Sequence, residues 1–338
     1  MNIRINNKIY EAREEETVLD VCRREGIRIP TLCAFSGLPK ETVCRLCLVE
    51  INLTDKLVPS CAFQVCEKLE VTTESERINK ARRINLELLW ADHAGKCAGC
   101  RKNRMCELQN LAEEYKIENF HFVPRKEEIT DVEERDLLKD NKSRVVIDNK
   151  NPAIFRTTEY CIECRRCINI CPDKAFGFNH RAGDVVVGTP YEKTLDCSFC
   201  GKCVEVCPTA ALTDQNDFGK IIKDLDNLKK MAVAVVDWEM EKGVLRQLKN
   251  MKSQKNFDDL LTELGFEKII NLSKEETKNE AIKNIKADYA RKEKINPESI
   301  VIFFISNKIE KKANKDEYLD YILSEREIAR LARDRKII

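Results

Sequence analysis

The sequence predicts a multidomain α+β chain made of several small modules rather than one large core. Three observations carry that prediction. All 17 cysteines lie at or before Cys207 in a chain of 338 residues, so metal chemistry is confined to the front. Charged residues make up 35% of the chain against 43% hydrophobic ones, a lean supply for one core of this length. Beyond residue 215, short apolar runs alternate with helical periodicity, the pattern of an α/β domain. The expected divisions are 1–76, 77–120, a linker at 121–150, 151–215 and 216–338.

The strongest signal is a repeated motif. Residues 161–172 read C-I-E-C-R-R-C-I-N-I-C-P and residues 197–208 read C-S-F-C-G-K-C-V-E-V-C-P. Each is C-x2-C-x2-C-x3-C-P, the bacterial ferredoxin spacing for cubane [4Fe–4S] clusters. In that arrangement three thiolates wrap one cubane and the fourth, ahead of proline, ligates the other. The expected sets are Cys161, Cys164, Cys167 with Cys207, and Cys197, Cys200, Cys203 with Cys171. Zinc ribbons are the rival reading, but they use two C-x2-C knuckles per ion rather than a triplet plus C-P.

Composition narrows the setting. A net charge of +1 gives no argument for nucleic acid or an anionic membrane surface. Many cysteines without a signal peptide point to a reducing cytoplasm and to metal ligation rather than disulfides. The longest apolar runs, Met231–Val236 and Ile300–Ser306, are too short to cross a bilayer. None of the 11 glycines forms G-x-G, and Gly201-Lys202 and Gly219-Lys220 lack the rest of a P-loop. Flavin or nicotinamide chemistry is therefore expected from another subunit.

At the N-terminus, Asn6-Asn7 between alternating runs predicts a tight hairpin. Thr17 as N-cap and Gly26 as stop bracket a helix carrying Val18, Leu19 and Cys22. Cys33, Cys44, Cys47 and Cys61 follow as C-x10-C-x2-C-x13-C, a set that suits a [2Fe–2S] rhomb with a longer first gap than the plant type. Residues 74–90 predict a helix with an apolar stripe of Ile78, Ala81, Ile84, Leu88 and Leu89. It leads into His93, Cys97, Cys100 and Cys106, one imidazole and three thiolates that either zinc or a cubane accepts. His121 and His180 have no metal-spaced partners and are expected to be structural or exposed. A helical turn is expected near Leu137-Leu138 in the linker, and a strand at Asp184–Gly188 between the cubane motifs.

Several stretches resemble known families. T-V-L-D-V-C-R-R-E-G-I-R-I-P-T-L-C (17–33), C-R-L-C-L-V-E (44–50), L-V-P-S-C (57–61), R-R-I-N-L-E-L-L-W-A-D-H (82–93) and C-E-L-Q-N-L-A (106–112) are similar to two of them. These are the large iron–sulfur subunit of NADH dehydrogenase (respiratory complex I) and the N-terminal part of iron-only hydrogenases. The resemblance implies a β-grasp domain with Cys33, Cys44, Cys47 and Cys61 on a [2Fe–2S] cluster. It also implies a [4Fe–4S] cluster on His93, Cys97, Cys100 and Cys106, and a ferredoxin-like domain holding the cubane pair. Cys22 and Cys66 are left over and are expected in the core.

The C-terminal part is expected to hold strands at Ala232–Val236, Lys268–Asn271 and Ile300–Ile305. Helices are expected at Gly243–Met251, Asp258–Leu264 and Glu317–Arg335. L-G-F-E-K-I-I-N (264–271) and L-S-E-R-E-I-A-R-L (323–331) resemble pieces of the hydrogenase catalytic domain. That family holds its active-site cluster with cysteines in this domain, and here there is none after Cys207. No substrate-converting site is therefore expected in this chain; the domain is expected either to dock a partner or to cover the cubane pair. The implied whole is an electron-transfer subunit with one [2Fe–2S] and three [4Fe–4S] clusters, in a cytoplasmic NAD(P)H-linked oxidoreductase of several subunits. It relays single electrons between a flavin-bearing subunit and ferredoxin or a catalytic subunit, in a host of bifurcating transhydrogenase or hydrogenase type. The alternatives are a compact iron-only hydrogenase and a zinc-stapled scaffold or redox sensor.

Overall fold

A computed structural model describes residues 1–93, 96–117, 122, 147–148, 151–181, 184–188, 197–215, 218–237, 240, 256–273, 280–307, 312 and 318–337. The chain divides into two units. The first holds Met1–Asp148, Arg156–Asp196 and Lys202–Thr213; the second holds Asn149–Phe155, Cys197–Gly201 and Asp214–Ile338. The expectations for His121, for the Leu137-Leu138 turn and for a helix at 243–251 lie outside the described residues.

The first unit begins with the hairpin of β1 (Asn2–Ile5) and β2 (Lys8–Glu11). Asn6 (φ 47°) and Asn7 (φ 67°) take the left-handed pair of conformations that matches a two-residue turn to strand twist. β3 (Leu48–Ile51), β4 (Thr54–Pro59) and β5 (Glu70–Thr72) complete a five-stranded sheet in the order β2-β1-β5-β3-β4, with β1 and β5 parallel. Helix α1 (Val18–Arg24) starts at a capping box in which Thr17 and Asp20 satisfy each other's backbone amides. Its buried Val18, Leu19, Val21 and Cys22 pack with Ile3, Ile5, Val49 and Val71. Cys22 is fully buried and desolvation pushes its thiol up to about 12, the behaviour of a core residue. Cys66 is half-buried against the same cluster.

Helix α2 (Glu76–Ala91) corrects the expected stripe. Ile84 and Leu88 are 42% and 47% exposed, and the buried face runs Ile78, Arg82, Leu86 instead. The reason is polar: the Arg82 guanidinium donates to Leu48 O (2.8 Å) and Thr73 O (3.0 Å), binding the helix to strand-end carbonyls. Next come α3 (Glu107–Glu114), β6 (Ile147–Asp148), β7 (Ile154–Thr157) and α4 (Arg166–Ile170). The backbone of His180 lies in β8 (Gly177–Arg181), which pairs antiparallel with β9 (Asp184–Gly188). Helix α5 (Lys202–Val206) and β10 (Leu212–Asp214) follow.

The second unit is a parallel sheet of β11 (Met231–Val236), β12 (Lys268–Asn271), β13 (Ile300–Ile305) and β14 (Tyr321–Leu323), ordered β12-β11-β13-β14. One face packs under α6 (Phe218–Leu225), α7 (Phe257–Glu263) and α9 (Glu325–Asp334), and the other under α8 (Glu280–Glu293). Both faces being covered explains the unbroken apolar runs of β11 and β13. Gly265 (φ 93°) ends α7. The single helix expected over Glu317–Arg335 is instead a strand and a helix. Ser324 separates them, since its side chain and Glu327 form a capping box that starts α9 there.

Among the described residues of this unit, two ion pairs are wholly or largely buried. Arg326 grips Asp214 through two bonds of 3.0 and 3.1 Å, and Lys312 Nζ lies 2.6 Å from Glu327. Burial alone would raise the Asp214 carboxyl, but the charges of Arg326 and Lys312 prevail and hold it at about 2. A depressed folded-state value stabilises the fold above the unfolded value of about 4 and loses that contribution as pH falls toward 2. The loss is expected to be on the order of 2 kcal/mol. Hydrogen exchange of the β14 amides between pH 5 and pH 2 reads it, and Asp214→Asn should flatten the dependence. No described helix is long and apolar enough to cross a membrane.

Candidate metal centres

Cys33, Cys44, Cys47 and Cys61 are buried and meet as two pairs. The sulfurs of Cys33 and Cys44 are 3.3 Å apart, and the thiol of Cys61 lies beside that of Cys47. Sharing a proton with Cys44, together with the amides of Cys44 and Val43, brings Cys33 down to about 6 and drives Cys44 well up. The Cys61 thiol likewise brings Cys47 to about 7. Thr42 (φ 54°) and Arg45 (φ 53°) take left-handed conformations that turn the loop around these sulfurs. The Leu32 amide donates to Cys44 Sγ at 3.4 Å.

His93 follows α2 directly, its amide donating to Trp90 O at 2.8 Å, and its buried ring lies 5.9 Å from that of Tyr160. Cys97 and Cys100 share a turn closed by a 3.1 Å backbone bond. Cys106 occupies the N-cap position of α3 without a side-chain cap bond, and the nearby amides of Leu108 and Gln109 favour its ionised form. Burial pushes its thiol up to about 11 in spite of them.

Cys161, Cys164, Cys167 and Cys207 line one small cavity. Cys171 is not among its lining residues. Glu163 N donates to Cys161 Sγ at 3.4 Å, and Cys207 Sγ lies 3.2 Å from Thr209 O. Burial raises the thiols of Cys164 and Cys167, and their sulfur neighbours add to it. The two motifs share a backbone: Glu163 (φ 58°) and Arg165 (φ 61°) in the first match Phe199 (φ 59°) and Gly201 (φ 72°) in the second. Left-handed turns at these spacings curl amides inward, which is how a loop receives a negatively charged group. Ala175 N donates to Cys171 Sγ at 3.3 Å in the first unit, and Asn151 Nδ2 lies 3.7 Å from Cys197 Sγ in the second. Cys203 belongs to the first unit and Cys200 to the second.

Within the first unit the sites share walls. Leu32, Cys33, Cys44, Leu46, Leu86, Cys106, Leu108, Ile162 and Cys164 belong to one hydrophobic cluster. Glu107 N donates to Pro208 O at 3.0 Å, so the chain after Cys106 touches the chain after Cys207. Glu41 receives Arg165 at 3.0 Å and Asn169 at 2.9 Å. Sequence reasoning missed Glu41, Glu107, Arg165 and Arg166; their one signal was adjacency to the cysteine motifs. The donor sets fit iron–sulfur clusters, which need thiolates, amide donors to sulfur and an apolar wall.

Comparison with known proteins finds iron–sulfur families along the front of the chain. Residues 1–76 match the model of a 2Fe-2S iron–sulfur cluster binding domain. Residues 82–121 match the iron–sulfur binding region of NADH-ubiquinone oxidoreductase-G, and residues 144–212 a 4Fe-4S dicluster domain. An NADP-reducing hydrogenase subunit of Solidesulfovibrio fructosivorans is 36% identical over 51% of this chain and 27% of its own length. A subunit of the Rhizobium meliloti NADH-quinone oxidoreductase is 33% identical over 58% of this chain and 20% of its own. The 78 kDa subunit of the Neurospora crassa mitochondrial NADH-ubiquinone oxidoreductase is 30% identical over 64% of this chain and 28% of its own. The chain thus spans less than a third of the length of these relatives. Among solved structures, an NAD+-reducing [NiFe]-hydrogenase in the H2-reduced state matches with a TM-score of 0.55 and 25% identity, over 63% of this chain and 87% of that one. The chain carries 2Fe-2S and 4Fe-4S binding domains, and it resembles the iron–sulfur subunits of NADH–quinone oxidoreductases and of NAD(P)-linked hydrogenases.

Proposed function

We propose that this chain is a one-electron relay subunit of an NAD(P)H-linked oxidoreductase, with four clusters in its first 207 residues. One [2Fe–2S] cluster takes Cys33 and Cys44 on one iron and Cys47 and Cys61 on the other, in a β-grasp domain. One [4Fe–4S] cluster takes His93, Cys97, Cys100 and Cys106. Two more take Cys161, Cys164, Cys167, Cys207 and Cys171, Cys197, Cys200, Cys203. The observation that supports this best is the cavity onto which Cys161, Cys164, Cys167 and the distant Cys207 all face.

Bound clusters of these types supply reversible one-electron chemistry, with plant-type [2Fe–2S] centres near about −400 mV. The protein's own part is to position and insulate. Leu32, Leu46, Leu86 and Leu108 keep water from the shared wall, and the amides of Leu32 and Glu163 offer hydrogen bonds to the sulfurs that receive charge. A flavin-bearing subunit supplies the two-electron step, and ferredoxin or a separate catalytic subunit takes the other end, in the cytoplasm. The second unit serves as a docking surface for such a partner or as a cover for the cubane pair.

Anaerobically purified protein is expected to carry about 14 iron atoms and about 14 acid-labile sulfides, the sum of these cluster types. About ten irons with one zinc would instead assign the His93 site to zinc. Zinc in every site and no labile sulfide would leave a stapled scaffold.

A further inference from the structure

Three buried cations among the described residues lie near these sites without belonging to any ligand set: Lys102, which donates to Cys207 O, Arg156, which lines the Cys161 cavity, and Arg166, which reaches furthest. Arg166 precedes Cys167 in the chain and is 3% exposed. Its Nη1 and Nη2 donate to Glu107 at 2.8 and 3.0 Å, and Nη1 also donates to Val206 O at 3.1 Å. Its guanidinium carbon lies 5.2 Å from the centre of the Phe35 ring, on the loop that follows Cys33. Glu107 follows Cys106, and Val206 precedes Cys207. One side chain therefore touches residues beside ligands of two proposed cubanes. Its buried Nε finds no acceptor among the described residues.

The ion pair is asymmetric. The Arg166 side chain is 2% exposed, while that of Glu107 is 45% exposed. Water screens the carboxylate far more than the guanidinium, so the positive end dominates inside. A cluster gaining an electron gains one negative charge, and a buried cation nearby favours that state.

We propose that Arg166 is a positioning residue for electron transfer, a shared buried counter-charge that raises the reduction potentials of the Cys161–Cys207 cubane and the His93 cluster together. By favouring the reduced state at both, it keeps an electron from being held at one site at the expense of the other. This rests on the ligand sets above.

The test is an EPR-monitored redox titration of the full-length, cluster-loaded chain with Arg166→Gln, Arg166→Lys and Glu107→Gln, alongside iron content. At a fixed poise, Arg166→Gln is expected to lower the reduced-to-oxidised ratio of both centres about tenfold, equivalent to about 59 mV for one electron. Arg166→Lys, which keeps the charge, should stay within about threefold of the parent. Glu107→Gln leaves the cation unopposed and should raise both ratios, a reversal that a purely structural role does not produce. The idea is overturned if Arg166→Gln keeps its iron and neither ratio moves, or if the lysine variant falls as far as the glutamine one. Should Arg166→Gln fail to load, Glu107→Gln decides alone, and an unchanged or lowered ratio ends the proposal. If Cys164→Ala costs the parent no iron, the ligand assignment itself fails, and the inference with it.

Discussion

Cys207→Ala is expected to cost the protein one whole centre, about four of the roughly fourteen irons proposed, with the other three centres left in place. Cys164→Ala should cost the same centre, because both side chains line one cavity. The combination separates crossed from uncrossed ligation. Cys164→Ala/Cys207→Ala should lose no more iron than either single variant, about four atoms. Cys171→Ala/Cys207→Ala should lose about eight, since Cys171 is absent from that cavity and, on the proposed ligand set, belongs to the second cubane. If Cys164→Ala/Cys207→Ala also loses about eight irons, each motif keeps its own fourth cysteine and the crossed assignment is wrong. Iron analysis with EPR of the dithionite-reduced proteins gives the answer.

Lys312→Met is expected to destabilise the second unit by about 3–5 kcal/mol at neutral pH, the usual consequence of stranding one member of a buried ion pair. Both side chains are 4% exposed, and Glu327 also accepts the Ser324 amide at 2.8 Å at the start of α9. Burial already raises the Glu327 carboxyl against the pull of Lys312, and losing the lysine raises it further. An acid whose folded-state value is raised destabilises the fold increasingly as pH climbs above its unfolded value of about 4. The deficit should therefore be small near pH 4 and grow toward pH 7. Urea midpoints across that range measure it, and Lys312→Met/Glu327→Gln should recover most of the loss. A deficit that is flat with pH would mean that lost packing, not stranded charge, is the cause.

The chemistry of the front half was legible because ligand spacing is dictated by the clusters themselves, and thiols at such intervals have few other uses. The Asn6-Asn7 turn and the Thr17 cap were legible for a similar reason, each being a local rule with one solution. What failed were choices made by distant partners. Nothing within residues 74–90 says that Arg82 should face inward and Ile84 outward; the carbonyls of Leu48 and Thr73 decide it. Tyr321–Leu323 looked helical because a three-residue strand is too short to show a period of two, and its pairing with β13 comes from elsewhere in the chain. Helix α8 was passed over because charged residues crowd its sequence and blur the apolar stripe. Arg166 carries no signal in the sequence beyond its place in a cysteine loop, and only Glu107 and Phe35 beside it single it out.

The shared wall of the first unit sets terms for how the protein matures. Cys33 and Cys44 pack in one cluster with Ile162 and Cys164, residues made more than a hundred positions later in translation. A ribosome releasing this chain exposes the first two cysteine loops well before the partners that enclose them exist. On the proposed ligand set, iron and sulfide must reach those thiols while that wall is still open, and the front modules stay unfinished until the ferredoxin motif has emerged. Cofactor delivery and final folding are then one event, and a chain truncated before residue 161 should be a poor substrate for it.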